Sequence, residues 1–333
     1  MTILNSEIFT NNFIQYSIII FLSVYFGIKL IPNYLGSFFG KCVSNDKTSK
    51  FHLPMIRGIG IIFAIVLILS SILWGSVFSI FEIIIISLST LIGFWDDKYG
   101  LRQKKKLFLF TFIGCMWSFY HLDFVTFDIY FFLNFILHVF IFVFLILFFN
   151  QIDGINGLAT GTFLTCLLFI YLTGTNLLLF LPIILSVLAN LVINMNGKIG
   201  IQGDAGSFFM GSFISILYTK STEWNQLGLV FFILGPIVFD VCGTTLIKVF
   251  YKINLTIGHR DNLYQKLVSK YQNHSLITSI FVFSQFQFCF WLSILLEKNS
   301  LVFIYYILFL ICSLLMLFFC FVAYLIHNKK ILN

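Results

Sequence analysis

The sequence predicts an all-α integral membrane protein, a polytopic bundle of about eleven transmembrane helices. Hydrophobic residues make up 59% of the 333 residues and charged residues only 10%, whereas an ordinary soluble domain carries about 25% charged residues. Eleven apolar runs follow one another along the chain, and a bilayer span needs about 20 apolar residues. The composition therefore argues against a soluble enzyme, a nucleic-acid-binding protein and a disordered chain.

The apolar runs are joined by short polar segments, without a long linker or a convincing internal repeat. We therefore expect one membrane-embedded domain over residues 1–333. The first run has no cleavage site after it and is predicted to be a retained span. The runs lie at about 13–32, 58–76, 78–95, 107–122, 130–149, 158–175, 177–195, 207–219, 227–251, 274–296 and 300–326.

The basic residues predict the orientation of the bundle. If eleven spans place successive loops on opposite sides, every Lys and Arg except Lys220 and Lys298 falls in one set of loops. Cytoplasmic loops carry an excess of Lys and Arg. We therefore expect the N-terminus outside and the C-terminus in the cytoplasm, and this topology explains most of the net charge of +7.

Carboxylates gather in the loops of the predicted cytoplasmic side. Asp96 and Asp97 directly follow an apolar run. Neighbouring carboxylates repel each other, so such a pair favours a divalent cation or a raised pKa on one member. The alternative is a solvated helix end beside Lys98.

Two glycine-rich segments lie on the same predicted side. In NQIDGINGLATG, residues 150–161, Asp153 and Asn156 share a helical face. In NMNGKIGIQGDAGSFFMG, residues 194–211, two glycines bracket Asp204, and a helix beginning near Ser207 would favour a phosphate. The alternatives are an ordinary loop and a tight turn with an N-cap.

The basic segments offer partners for phosphate. His259 and Arg260 are a plausible diphosphate clamp, and residues 260–271 could form a short interfacial helix. A basic loop at an anionic membrane surface is the alternative. Arg57 lies where a polar segment leads into the second run, and Lys104–Lys106 are predicted to be topology determinants.

Together these segments predict one site at the cytoplasmic rim. Hard oxygen ligands beside anion donors fit Mg²⁺ or Mn²⁺ with a phosphate-bearing substrate, and they do not fit zinc. The contributing loops lie near 33–57, 95–106, 150–157, 196–206 and 252–273.

The segments DDKYGL, NQIDGINGLA and GDAGSFFMG, in this order, resemble the polyprenyl-phosphate N-acetylhexosamine-1-phosphate transferases, glycosyltransferase family 4. The resemblance covers about residues 46 to 270. It implies transfer of a sugar 1-phosphate from a UDP-N-acetylhexosamine to polyprenyl (undecaprenyl) phosphate, with release of UMP. It further implies a multi-pass enzyme of the inner (plasma) membrane that initiates cell-surface polysaccharide or cell-wall glycan assembly, with its active site on the cytoplasmic face. Nucleic acid is not an expected partner, and a homodimer is left open.

The resemblance also implies roles for individual residues. Asp96, Asp97, Asp204 and His259 would be catalytic, and the Mg²⁺ ligands, with Mn²⁺ as an alternative ion, would be Asp97, Asp204 and Asn150. Asp240 matches an acidic position that precedes the last cytoplasmic loop. The substrate-binding residues would be Asn150, Asp153, Asn156, Asn194, Arg260 and Arg57.

Leu147, Asn262 and Ile59 depart from the family pattern. Leu147 replaces the first Asn of a pair, and Asn262 replaces the second of two histidines. Two alternatives follow from the sequence: a polytopic transporter, and a catalytically inactive relative. A transporter would place charges deep within its spans, whereas the polar segments here gather at one rim.

Overall fold

The computed structural model describes residues 6–34, 38–42, 55–74, 78–122, 129–172, 180–195, 200–221, 233–252 and 261–297. Within these ranges the chain is a bundle of α-helices with one small sheet. The helices are α1 (Ser6–Tyr34), α2 (Ile61–Trp74), α3 (Ile80–Tyr99), α4 (Gln103–His121), α5 (Ile129–Ile152), α6 (Leu158–Leu172), α7 (Leu181–Met195), α8 (Gly203–Ser221), α9 (Pro236–Phe250), α10 (Leu263–Tyr271) and α11 (His274–Glu297).

The helices confirm the predicted all-helical fold class. Ten of the predicted apolar runs coincide with described helices, while the run at 300–326 lies outside the described residues. Within the described part of the chain, one helix, Ile129–Ile152, is long and apolar enough to cross a membrane by length and composition. The count of eleven spans and the orientation stay predictions.

Helix α8 occupies the middle of the bundle. Every residue from Ala205 to Thr219 is buried, and the helix contacts α3, α5, α2 and α6. A helix that is apolar on all sides is expected to be enclosed by others. Its N-terminus, which carries Asp204, is therefore surrounded by the ends of neighbouring helices.

Phenylalanine packs the interior as well as the outer surface. Among the 45 Phe residues, Phe63, Phe163, Phe209 and Phe213 are fully buried. The ring of Phe213 meets that of Phe163 edge to face at 5.5 Å between centroids. Such aromatic contacts add to the burial of area, so part of the Phe content stabilises the core.

Helix α3 has well-defined ends. Ser79 and Glu82 form a capping box, in which the Ser79 N–H donates to Glu82 Oε2 at 2.6 Å and the Glu82 N–H donates to Ser79 Oγ at 3.2 Å. Near the other end, Gly93 lies directly against the backbone of Asp204, where a Cβ would overlap it. This close approach joins the acidic end of α3 to the beginning of α8.

A small three-stranded sheet, which the sequence did not predict, accompanies the helices. Strand β1 (Gly40–Cys42) pairs antiparallel with β2 (Met55–Arg57), and β2 pairs parallel with β3 (Gly200–Ile201). Strands this short carry no period that a sequence pattern could reveal. The parallel pairing sets Arg57 opposite Ile201, which brings a cation next to the turn that leads into α8.

Candidate active site

Asp97 fixes the beginning of α8. Its Oδ1 accepts the N–H of Asp204 and its Oδ2 accepts the N–H of Ala205, both at 3.0 Å. These amides belong to the unpaired N–H groups at a helix start, where a negative charge is favoured. Gly203 has a φ of +68° and packs on the Asp97 carboxylate. The Asp97 side chain, only 1% exposed, therefore connects α3 to α8.

Lys106 lies between two other carboxylates. Its Nζ donates to Asp204 Oδ2 at 2.9 Å and forms an ion pair with Asp96 Oδ2. The lysine side chain is 7% exposed. Asp96, Asp97 and Asp204 thus meet where α3, α4 and α8 come together, although Asp204 lies more than a hundred positions after the other two in sequence.

The sequence did not predict that Lys106 would be buried in the cluster, while Lys104 and Lys105 are exposed. The sequence alone does not separate the three lysines, because each has apolar residues three and four positions further along. Helical spacing places Lys106 on the same face as Phe110 and Ile113, which are buried.

Arg57 provides a second cation. Its Nε lies 3.9 Å from Asp97 Oδ1, and its side chain is 32% exposed. A guanidinium keeps its charge and can bind phosphate oxygens in pairs. Because Arg57 is partly exposed beside the buried carboxylates, it can contact both Asp97 and an incoming anion.

The α5–α6 connection contributes Asn150 and Asp153. Asn150 Nδ2 donates to Ser207 Oγ at 3.4 Å, so its amide oxygen is left to bind another group. Asp153 Oδ1 accepts a hydrogen bond of 2.7 Å from Gln202 Nε2. Both side chains are therefore connected to the segment around the first turn of α8.

The other predicted residues are placed less directly. Asn194 is buried in the last turn of α7, and its Oδ1 has no hydrogen-bond partner among the described residues. Asn156 is held through its backbone. Its N–H donates to His274 Nδ1 and its carbonyl accepts from Thr278 Oγ1, and both partners belong to α11. His259 and Arg260 lie outside the described residues.

Burial and mutual repulsion control the ionisation of the cluster. Burial raises the pKa of Asp96 to about 7, with the neighbouring Asp204 adding to the effect and Lys106 opposing it. Burial and Asp204 also raise the pKa of Asp97 well above its usual range. Burial raises the pKa of Asp153 to about 8, against the hydrogen bond from Gln202.

Asp204 behaves in the opposite way. Burial disfavours its charged form, but the hydrogen bond with Asp96 and the charges of Lys106 and Arg57 outweigh burial and hold its pKa below the usual range. For Lys106, burial favours the neutral form, yet Asp204 and Asp96 raise its pKa. The cluster therefore holds Asp204 as the anion and Lys106 as the cation.

The predicted helix near 260–271 exists as α10, and Asp240 of α9 holds its start. Asp240 accepts the N–H groups of Leu263 at 2.8 Å and Tyr264 at 3.3 Å. The Tyr264 hydroxyl donates to the Gln151 carbonyl at 2.7 Å and accepts from Asn262 Nδ2 at 2.8 Å. Asn262, which departs from the family pattern, therefore has a structural role in joining α10 to the α5–α6 connection.

The carboxylates of the cluster decide whether the site could hold the predicted Mg²⁺. Within the described ranges, no group of three or more His, Cys, Asp and Glu side chains is arranged to hold a metal ion. However, Asp96 and Asp204 already share one cationic group, the Lys106 ammonium. Mg²⁺ is usually held by one or two carboxylates together with waters and substrate phosphates. The Lys106 ammonium fills the position between Asp96 and Asp204, so the two carboxylates that fit this ion are Asp97 and Asp204, which meet at the first turn of α8.

The described structure is a helical bundle with a buried aspartate cluster at its helix ends. Residues 77–222, which span α3 to α8 and carry the aspartates, match the model of glycosyl transferase family 4. This match agrees with the resemblance that the motifs of the same segment carry.

A curated relative agrees with this assignment. The chain is 25% identical over 280 residues to a protein of Bacillus subtilis (strain 168) described as a probable undecaprenyl-phosphate N-acetylglucosaminyl 1-phosphate transferase. The aligned region covers 77% of this chain and 76% of the relative. The similarity therefore extends beyond the part that matches the family model.

Proposed function

We propose that this protein transfers a sugar 1-phosphate from a UDP-N-acetylhexosamine to polyprenyl phosphate, with undecaprenyl phosphate as the lipid, and releases UMP. The observation that carries the proposal is the meeting of Asp96, Asp97 and Asp204 with Lys106 and Arg57. The family and the description of the Bacillus subtilis relative support the class of reaction. The proposed setting is the cytoplasmic face of the inner membrane, at the first membrane step of surface glycan assembly.

The charges of the cluster suit this reaction. Attack of one phosphate on another is opposed by electrostatic repulsion, and fixed cations lower that barrier. Arg57 is partly exposed and would bind the diphosphate, while Lys106 holds Asp96 and Asp204 in place. Asp96, whose pKa is raised to about 7, can accept a proton from the lipid phosphate near neutral pH.

Magnesium is part of the proposal. Asp204, with Asp97 and Asn150, would hold the ion against the diphosphate. When bound, Mg²⁺ would neutralise charge on the phosphate oxygens. Asp153 and Asn194 would contact the nucleotide sugar, and the same role is proposed for Asn156, His259 and Arg260.

The test uses the full chain purified in detergent. Given polyprenyl phosphate, Mg²⁺ and a panel of UDP-sugars, the wild type should release UMP with at least one sugar, and Asp204→Asn should lower the rate at least about 100-fold. Lys105→Met, which changes an exposed side chain outside the cluster, serves as the control and should retain the rate. Equal UMP release by wild type and Asp204→Asn would reject the proposed site.

A further inference from the structure

A buried glutamine connects the aspartate cluster to the rest of the bundle. Gln202 precedes α8, is fully buried, and has both ends of its side-chain amide engaged. Its Nε2 donates to Asp153 Oδ1 at 2.7 Å, and its Oε1 accepts from Asn190 Nδ2 at 3.2 Å. Nothing in the sequence motifs singled out Gln202 or Asn190.

The two bonds engage opposite ends of the amide. Asn190 donates through its NH₂ group to the oxygen of Gln202, and the nitrogen of Gln202 faces Asp153. Asn190 is 1% exposed and lies on α7. The hydrogen bonds between Asn190, Gln202 and Asp153 therefore join α7 to the α5–α6 connection.

The backbone of Gln202 is held as firmly as its side chain. Its carbonyl accepts the N–H of Gly60 at 3.0 Å and the N–H of Gly206 at 3.3 Å. The amide is therefore anchored at its main chain by the start of α2 and by α8. A donor anchored in this way loses little freedom when it orients a neighbour.

We propose that Gln202, held by Asn190, is a positioning residue that fixes the orientation of Asp153 toward the nucleotide sugar. Because Oδ1 is engaged by Gln202, the substrate would meet Asp153 through Oδ2. This inference rests on the proposed function, since it assumes that Asp153 contacts the UDP-sugar. It adds Asn190 on α7 and Gln202 just before α8 to the residues that determine binding of the UDP-sugar.

The test compares variants that keep the length of the side chain. Gln202→Met removes the donor, and Gln202→Glu removes the N–H donor and adds a second acidic group beside Asp153. A buried hydrogen bond is worth about tenfold in affinity. Both variants should therefore raise KM for the UDP-sugar about tenfold and leave kcat within about threefold. A role in packing alone would leave KM unchanged, because both replacements nearly preserve the volume.

Two further variants sharpen the result. Asn190→Leu frees the Gln202 amide to rotate and should raise KM about threefold, and its combination with Gln202→Met should be no worse than Gln202→Met alone. Gln285→Met is the matched control, since Gln285 is also fully buried and donates to the Ile233 carbonyl at 2.9 Å. This control should leave KM unchanged.

Each outcome decides the inference. An active wild type whose KM is unchanged by Gln202→Met, or is raised equally by Gln285→Met, would overturn the inference and leave the proposed function standing. A fall in kcat that parallels a lowered melting temperature, with KM constant, would also overturn it. A wild type that releases no UMP from any UDP-sugar would overturn the proposed function and this inference together.

Discussion

Lys106 illustrates how the surroundings of a side chain decide its role. It is one of three consecutive lysines, yet it is buried and joins Asp96 to Asp204. A buried cation is costly unless it is paired, and two carboxylates provide that pairing. Its removal would leave Asp96 and Asp204 to repel each other in the interior.

We expect Lys106→Met to abolish most activity and to destabilise the protein. Breaking a buried pair by removing one partner typically costs about 3–5 kcal/mol. UMP release should fall at least about 100-fold, and the melting temperature should drop. The control is Lys105→Met, because Lys105 is exposed and should be replaceable. Equal effects of the two substitutions would show that Lys106 has no special role.

Asp153 should make stability depend on pH. Its pKa is raised by burial to about 8 in the folded protein, whereas an unfolded Asp titrates near 4. Between these values the folded chain keeps a proton that the unfolded chain releases, so rising pH favours unfolding.

The substitution Asp153→Asn stays neutral at every pH and should remove this dependence. Its melting temperature in detergent and EDTA, relative to that of the wild type, should increase between about pH 5 and about pH 9. A difference that stays constant over this range would contradict the raised pKa.

Helix α8 organises the site because other elements approach its N-terminus closely. Gly93 of α3 leaves no room for a Cβ, which would overlap the carbonyl of Asp204. Small residues allow such close contact between helices in membranes. The distance between α3 and α8 therefore decides whether Asp97 can reach the amides of Asp204 and Ala205.

Gly93→Ala should consequently separate α3 from α8. Overpacking typically costs about 1–3 kcal/mol, so the melting temperature should fall and UMP release should drop with it. Gly27→Ala is the matched control, because a Cβ at Gly27 in α1 meets nothing within 4 Å. If the two alanine variants melted at the same temperature, the close packing of α3 and α8 would be refuted.

Helix α10 depends on a small set of hydrogen bonds. The Tyr264 hydroxyl, which joins Asn262 to the Gln151 carbonyl, is the part of this network that can be deleted most cleanly. Tyr264→Phe should cost about 1–3 kcal/mol, since it leaves buried polar groups without a partner. Tyr271→Phe, an exposed site on the same helix, should change the melting temperature little. If both variants lowered the melting temperature equally, the hydrogen-bond network would not be a source of stability.

Much of the bundle could be predicted from the sequence, because long apolar runs leave few alternatives to membrane helices. Adjacent or glycine-flanked aspartates also indicated which segments would meet. The sheet was missed because pairings of two or three residues leave no periodic pattern. Gln202 was missed for another reason: a single buried amide is recognisable only when both of its partners are known.

The structure also bears on the alternative of a transporter. The described carboxylates Asp96, Asp97, Asp153 and Asp204 gather at connected helix ends, around two cations and the start of α8. A transporter would be expected to place its charged residues near the middle of the spans. This arrangement favours chemistry at the boundary between membrane and water, where a nucleotide sugar and a lipid phosphate can meet.

The central claim is that carboxylates from distant segments form one cation-binding centre, and Mn²⁺ binding measures it most directly. Electron paramagnetic resonance of the purified full chain should detect one bound Mn²⁺ in the wild type and in Lys105→Met, whose exposed side chain lies outside the cluster. Binding should be lost in both Asp97→Asn and Asp204→Asn. A wild type that binds no Mn²⁺, or variants that bind it as tightly as the wild type, would contradict the account.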